Sequence, residues 1–261
     1  MLERIEKAEV SKIVTESLDR AERVWGEHGE LLDSVTAMES FKSYAADSKY
    51  ESAQSTIPGH DFVSLNNPKV ENFIALMVDI RGSSKHLTQA ISMKKAKVSQ
   101  FKRVYYETSA LLPAVAKTIG FKSGKVTEYL GDGALALFRI SDFEDYRKAV
   151  YAAHNAAKNC ITDTLDIVNS ELERRYSLPP LVIGVGMAMS PALVTLVGLK
   201  GEMQARALGE CVYRAAKLSG GYNEIIVDKK LRGRWPKGKV GSIRFSPKSM
   251  KDIEGFLISP K

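Results

Sequence analysis

FIALMVDIRGSS, residues 73–84, is the stretch on which the reading of this chain turns. Residues 73–78 are apolar without interruption, a strand-like run far too short to cross a membrane. The run closes on Asp79. A carboxylate at the end of an apolar strand is costly to bury alone, so it either caps the helix that follows or has a ligand to hold. Gly82, Ser83 and Ser84 come next. Small residues at a helix start leave backbone N–H groups available to cradle phosphate. A long helical pattern then covers residues 85–120. Gly120 is expected to close it as a C-cap, and Pro113 to kink it or divide it in two.

Working outward, KVTEYLGDGALALFRI (125–140) reads as two strands around a tight Gly-Asp-Gly turn, a hairpin signal. Residues 142–176 are helical in period, with Ser141 or Asp142 as N-cap and Pro179 and Pro180 as the stop. LVIGVGMAMSPALVTLVG (181–198) reads as a strand, a turn at Ser190 and Pro191, and a second strand. GECVYRAAKLSGG (209–221) is a short helix, IIVD (225–228) a strand, and KVGSIRFSP with EGFLIS a last hairpin. The order β-α-α-β-β-α-β-β-α-β-β-β predicts an α+β domain, helices covering a mainly antiparallel sheet. Before it, residues 2–48 are polar with one apolar stripe of Ile5, Val10, Ile13, Val14 and Leu18, which must bury on the main domain or a second subunit. Residues 49–70 carry Pro, Gly, Ser and Asn and read as a connector. The expected division is therefore 1–70, an N-terminal helical extension, and 71–261, the main domain.

Composition narrows the class. The 261 residues are 44% hydrophobic and 26% charged, which excludes a disordered or fibrous chain. The net charge of +7 suits an anionic ligand, nucleic acid or a solvated basic surface. LRGRWPKGK (231–239) mixes basic residues with Trp235 but reads as a surface loop rather than a nucleic-acid site. Cys160 and Cys211 make neither a disulfide framework nor a zinc site. The four histidines have no ligand spacing. MLERIEKAEV lacks the apolar run of a signal peptide, so a cytoplasmic protein without membrane or nucleic-acid partners is expected.

Asp79 and Asp132, each at the end of a strand, together suggest a Mg²⁺ or Mn²⁺ site completed by waters and phosphate oxygens. At these residues the chain resembles the class III nucleotidyl cyclases. VDIRGSS is similar to their D-I-x-G-F-T segment, YLGDGALALF to their I-G-D-x-x-x-A-x-F hairpin, IGVGMAMSPALVTLVG to their glycine-rich hairpin, and ALGECVYRAAKLS to their G-x-x-V-N-x-A-A-R-L helix. The four blocks come in the family's order over residues 73–227. The resemblance implies a ferredoxin-like cyclase fold and a homodimer with active sites at the interface. It assigns Asp79, Asp132 and the backbone carbonyl of Ile80 to two divalent ions. Those ions would activate the ribose 3′ hydroxyl of a nucleoside triphosphate for in-line attack on the α-phosphorus. Glu128, Arg206, Tyr213 and Lys217 would come from the other subunit.

The departures from the family pattern set the expected substrate. Ser83 replaces the Phe. Tyr213 stands at the Asn that orients the ribose, and Lys217 at the Arg that stabilises the transferring phosphate; Arg214, one turn earlier, is placed to compensate. Both aspartates are present, which favours an active enzyme over an inactive nucleotide-sensing dimeriser. Glu128 and Arg206 take the two base-reading positions but match neither the adenylyl nor the guanylyl pair. A carboxylate accepts and a guanidinium donates, which leaves several bases open, and the two could also be a plain salt bridge. Tyr213 should narrow the pocket toward a pyrimidine, UTP ahead of CTP, with GTP and ATP as alternatives. The pattern is similar to the pyrimidine cyclases of the Pycsar anti-phage systems, which implies a cyclic nucleotide read by a separate effector. Lys248 and Lys251 lie near a hairpin that often gives the triphosphate a lysine.

Overall fold

The structure is a computed structural model that describes residues 1–29, 52–88, 98–142, 145–236, 243–250 and 252–260. In chain order the elements are α1 (Arg4–His28), β1 (Ser52–Gln54), β2 (Phe62–Ser64), β3 (Lys69–Ile80), α2 (Ser83–Thr88), α3 (Gln100–Gly120), β4 (Lys125–Leu130), β5 (Gly133–Ile140) and α4 (Asp145–Asn159). A π-helical turn, Cys160–Thr164, joins α4 to α5 (Leu165–Tyr176). Then come β6 (Ile183–Val197), β7 (Gln204–Gly209), α6 (Glu210–Leu218), β8 (Glu224–Asp228), α7 (Lys229–Gly233), β9 (Ile243–Pro247) and β10 (Gly255–Pro260).

The alternation along β3 sets the layers, because successive side chains of a strand face opposite ways. Ile74, Leu76, Val78 and Ile80 point into one buried cluster with Val10, Val14 and Leu18 of α1, Leu111 and Val115 of α3, and Val150 and Val168 of α4 and α5. Phe73, Ala75 and Met77 point into the other, with Ile57 and Val63 around the β1–β2 hairpin, Cys211 and Ala215 of α6, and Val194, Leu196 and Ala207 of the β6–β7 arm. Strands β3 to β10 form one eight-stranded sheet of order β4-β5-β3-β6-β8-β10-β9, with β7 added to β6, and β1 and β2 form a separate two-stranded sheet. Every pairing is antiparallel except β6 with β8. This is the mainly antiparallel, helix-covered α+β architecture that the element order predicted.

Several local expectations are corrected. No turn interrupts residues 181–198: β6 runs unbroken through Ser190 and Pro191, with Pro191 in register against Asn72. Proline's fixed φ fits an extended chain. Ser190 Oγ also accepts the Cys211 N–H at 2.8 Å, tying the strand to α6. Pro113 does not divide its helix, because Ala110, Leu111, Ala114 and Val115 bury one continuous face across it. Gly120 is the last helical residue rather than the cap; the left-handed residue beyond it is Ser123 at φ 62°. The pattern over 85–120 is two helices, α2 and α3, with residues 89–97 outside the described part. The N-cap of α4 also lies outside it. Ile5 is 72% exposed, and the α1 stripe runs instead through Leu2, Val10, Val14, Leu18 and Ala21 onto the main domain. The connector contains the β1–β2 hairpin, and α7 is a short helix that periodicity did not reveal. Among the described residues no helix is long and apolar enough to cross a membrane.

Candidate active site

One end of the sheet gathers the acidic residues. Asp79 lies opposite Gly133 of β5 on one side and Gly184 of β6 on the other. Gly184 is in turn level with Glu224 of β8. Asp132 occupies the turn before Gly133, after Gly131 at φ 64°, so the two aspartates flank a single strand junction. Glycine is needed at 133: a Cβ there would stand 2.8 Å from the Val78 carbonyl oxygen and 3.4 Å from Asp79 Oδ1. Ile80 ends β3 buried, and Gly82, at φ 76°, turns the chain into α2. The N–H groups of Lys85 and His86 return to the Gly82 carbonyl at 2.8 and 3.2 Å.

Among the described residues no group of three or more His, Cys, Asp or Glu converges. The candidate metal ligands at this end are the carboxylates of Asp79 and Asp132, a third carboxylate, Glu224, being level with Gly184. They suit hard divalent cations that keep waters and phosphate oxygens in their coordination shell. Asp79 is a quarter exposed and its Oδ2 accepts from Arg81 Nη1 at 2.8 Å. Two strands along, Lys248 Nζ donates to both oxygens of Glu224, at 2.7 and 2.6 Å. Burial opposes the charged form of Glu224, but Lys248 and the Tyr222 N–H outweigh it and hold its pKa below the usual carboxylate range. Lys248 is thus paired with Glu224 at the start of β8. Lys251 lies outside the described residues.

Glu128 and Arg206, the two positions expected to read the base, meet elsewhere. Glu128 follows a bulge in β4 and opposes Leu135; Arg206 on β7 opposes Thr195. The β6–β7 arm folds over the second face of the sheet, where Val194, Leu196 and Ala207 pack with Leu135 and Leu137. That fold-over brings Arg206 Nη1 into an ion pair with Glu128 Oε2. Arg206 Nη2 also donates to Gln204 Oε1 at 3.0 Å. The pair lines an open pocket of about 580 Å³ between residues 127–130, 203–206 and 53–56, a volume that accepts a nucleoside. The contribution of 53–56, from the supposed connector, was not foreseen.

Helix α6 presents two faces. Cys211, Ala215 and Leu218 are buried, while Tyr213 and Lys217, one turn apart, face out with Lys217 Nζ 5.4 Å from the Tyr213 ring centre. Neither lines the pocket of Glu128 and Arg206 within one chain. Arg214 is held by Glu210, Nε to Oε1 at 2.6 Å. A further polar tie escaped the sequence reading. His86 Nδ1 and Arg103 Nε contact the two oxygens of buried Glu107, at 2.8 and 2.6 Å, and so fasten α2 to α3. Arg103 and Glu107, four residues apart on a face otherwise apolar, were the available signal.

No family model matches the chain. A uridylate cyclase from Gulbenkiania mobilis is 25% identical to it over 191 residues, 72% of this chain and 71% of that one. The guanylyl cyclase Cya2 superposes with a TM-score of 0.58 at 16% identity, covering 73% of this chain and 91% of its own. The adenylyl cyclase CyaB from P. aeruginosa does so at 0.57 and 13%, covering 75% and 97%. Adenylyl and guanylyl cyclases alike thus superpose on about three quarters of this chain, and the chain carries the class III nucleotidyl cyclase fold.

Proposed function

We propose that the protein is a nucleotidyl cyclase that converts UTP to 3′,5′-cyclic UMP and pyrophosphate. The observation that carries this reading is the pairing of two half-sites on one cyclase fold: Asp79 with Asp132 at the sheet end, and Glu128 with Arg206 in a nucleoside-sized pocket. Likeness to a uridylate cyclase supports the choice of base. Asp79, Asp132 and the Ile80 carbonyl would hold two Mg²⁺ or Mn²⁺ ions. When bound, such ions lower the pKa of the ribose 3′ hydroxyl and neutralise the triphosphate. The chain's own residues do the rest. Gly82, Ser83 and Ser84 cradle phosphate oxygens with backbone N–H groups, and Lys217 offsets charge on the transferring phosphate. Glu128 accepts from uracil N3–H and Arg206 donates to a ring carbonyl. The 3′ oxygen loses its proton to solvent and bonds to the α-phosphorus. The bond from that phosphorus to the bridging oxygen breaks, and pyrophosphate leaves. Holding the reacting atoms in line supplies much of the rate.

The two half-sites come together in a head-to-tail homodimer, the aspartates from one subunit and Glu128, Arg206, Tyr213 and Lys217 from the other. Mixing inactive Asp79→Ala with inactive Lys217→Ala should then restore part of the activity, because one site of each mixed dimer carries neither lesion. No recovery on mixing would contradict the shared site. The product is a second messenger for a separate effector, in the manner of an anti-phage signal.

The ion pair of Glu128 with Arg206 also supports a second reading, a tie that merely holds β7 over β4. The kcat/KM for all four nucleoside triphosphates under identical Mn²⁺ separates the two. UTP should lead, with CTP as its close rival, and Arg206→Ala should lower UTP turnover and flatten the preference at nearly unchanged Tm. Leaving a base edge or Glu128 unpaired in the nucleotide-filled pocket would cost about 1–3 kcal/mol, hence roughly 5- to 150-fold in selectivity. A preference of tenfold or more for ATP or GTP ends the pyrimidine assignment, and a lower Tm with unchanged preference favours the tie.

A further inference from the structure

Arg81 sits between the last residue of β3 and the Gly82 turn, and its backbone is pinned by an N–H bond to the Val182 carbonyl at 2.8 Å. The guanidinium lies 5.6 Å from the centre of the exposed Tyr222 ring and reaches Asp79 Oδ2 at 2.8 Å. It is incompletely satisfied there: among the described residues its buried Nε has no hydrogen-bond partner. The carboxylate on which a divalent cation depends is thus already matched by a cation belonging to the chain. A divalent ion and a guanidinium on one carboxylate repel each other at close range. Ion loading therefore either displaces Arg81 or is weakened by it. A guanidinium released at this point has phosphate as a better partner, since its planar fork fits two phosphate oxygens at once.

We propose that Arg81 is a latch that rests on Asp79 in the nucleotide-free protein and transfers to the triphosphate when nucleotide binds, so that substrate and metal load together. This rests on Asp79 being a metal ligand. Two opposite effects of one substitution follow. Without Arg81 the bare protein should bind Mn²⁺ more tightly, and it should bind the triphosphate more weakly. By linkage, nucleotide should raise Mn²⁺ affinity more in the wild type than in the variant.

The experiment is a Mn²⁺ titration of the full chain, followed by paramagnetic resonance of the free ion, for wild type, Arg81→Ala, Arg81→Met and Asp79→Ala. A parallel titration with a non-cyclisable UTP analogue in chelator follows. Arg81→Met keeps an apolar stem against Tyr222 should Arg81→Ala fail to fold. The expected result is about fivefold tighter Mn²⁺ binding in the Arg81 variants, the scale of a partly exposed ion pair, together with weaker analogue binding. Arg81 variants that bind Mn²⁺ no tighter than wild type, while Asp79→Ala loses it, overturn the latch and leave the metal site standing. Unchanged analogue affinity overturns the transfer to triphosphate. If Asp79→Ala binds Mn²⁺ as the wild type does, the metal assignment fails and the latch with it.

Discussion

Asp79→Ala and Asp132→Ala should each abolish cyclisation, by at least about 100-fold, the loss that follows removal of one charge-stabilising group from a reacting centre. The folded state should be almost untouched. Both side chains stand at the solvent-facing end of the sheet. Asp79 pairs with Arg81, the two side chains about a quarter exposed. Such pairs contribute about 0–1 kcal/mol, and two carboxylates beside one junction repel each other when no cation lies between them. Asp132→Ala should therefore melt at or slightly above the wild-type temperature, and Asp79→Ala close to it. Product formation by mass spectrometry and thermal melts on the same preparations check both halves. Wild-type-like turnover in either variant would remove the carboxylate pair from the mechanism. A collapse of Tm would show that the residues are structural.

The largest effect on stability is expected from Gly186→Ala. A Cβ at position 186 would lie 2.0 Å from the Ala215 carbonyl oxygen and 2.6 Å from the Ser219 N–H nitrogen. Both are backbone atoms, so no side-chain rotation relieves the clash and α6 itself must lift off β6. Overpacking of this kind costs about 3 kcal/mol, a fall in Tm of about 6–12 °C for a chain of this size. Activity should fall further than stability, because α6 carries Tyr213 and Lys217. Gly184→Ala, 2.0 Å from the Ser219 carbonyl oxygen, should behave alike. Gly120→Ala is the control: nothing lies within 4 Å of its added methyl, and a helical alanine in place of glycine is neutral or stabilising by up to about 1 kcal/mol. A Gly186→Ala protein with unchanged melting would mean that α6 does not rest directly on the β6 backbone.

What the sequence reveals and what it conceals divide along physical lines. The β4–β5 hairpin is legible because its turn chemistry and its apolar alternation agree, and β3 because an apolar run ends abruptly on a carboxylate. The four motif blocks place Asp79 with Asp132 because those residues are fixed by backbone register. Ser190 and Pro191 mislead, since a turn signal is local and β6 is held straight by non-local pairing to β3 and β7. The β1–β2 hairpin is hidden because three-residue strands carry almost no periodicity. The ion pairs were legible unevenly. The Arg206 and Glu128 salt bridge was one of the two expected readings, Arg81 with Asp79 is a local pair two residues apart at the end of β3, and His86 with Glu107 depends on how α2 docks on α3. Glu128 and Arg206 were chosen for the family positions they occupy, and the arm that brings them together came from tertiary packing.

The register of β3 has a bearing on synthesis. Its neighbours are β5, some sixty residues later, and β6, which pairs with it from Lys69 opposite Val194 to Ile80 opposite Ile183. Neither edge of this apolar strand can be covered as it leaves the ribosome. At ordinary elongation rates the wait for β6 is on the order of ten seconds, during which an unpaired hydrophobic edge is open to any other nascent strand. The α1 helix is in the same position, because the α3 and α5 surfaces that receive it arrive later. A holding chaperone acting on the first hundred or so residues, or a slow codon stretch placed after β6 rather than before it, would govern how much of this protein reaches the folded state.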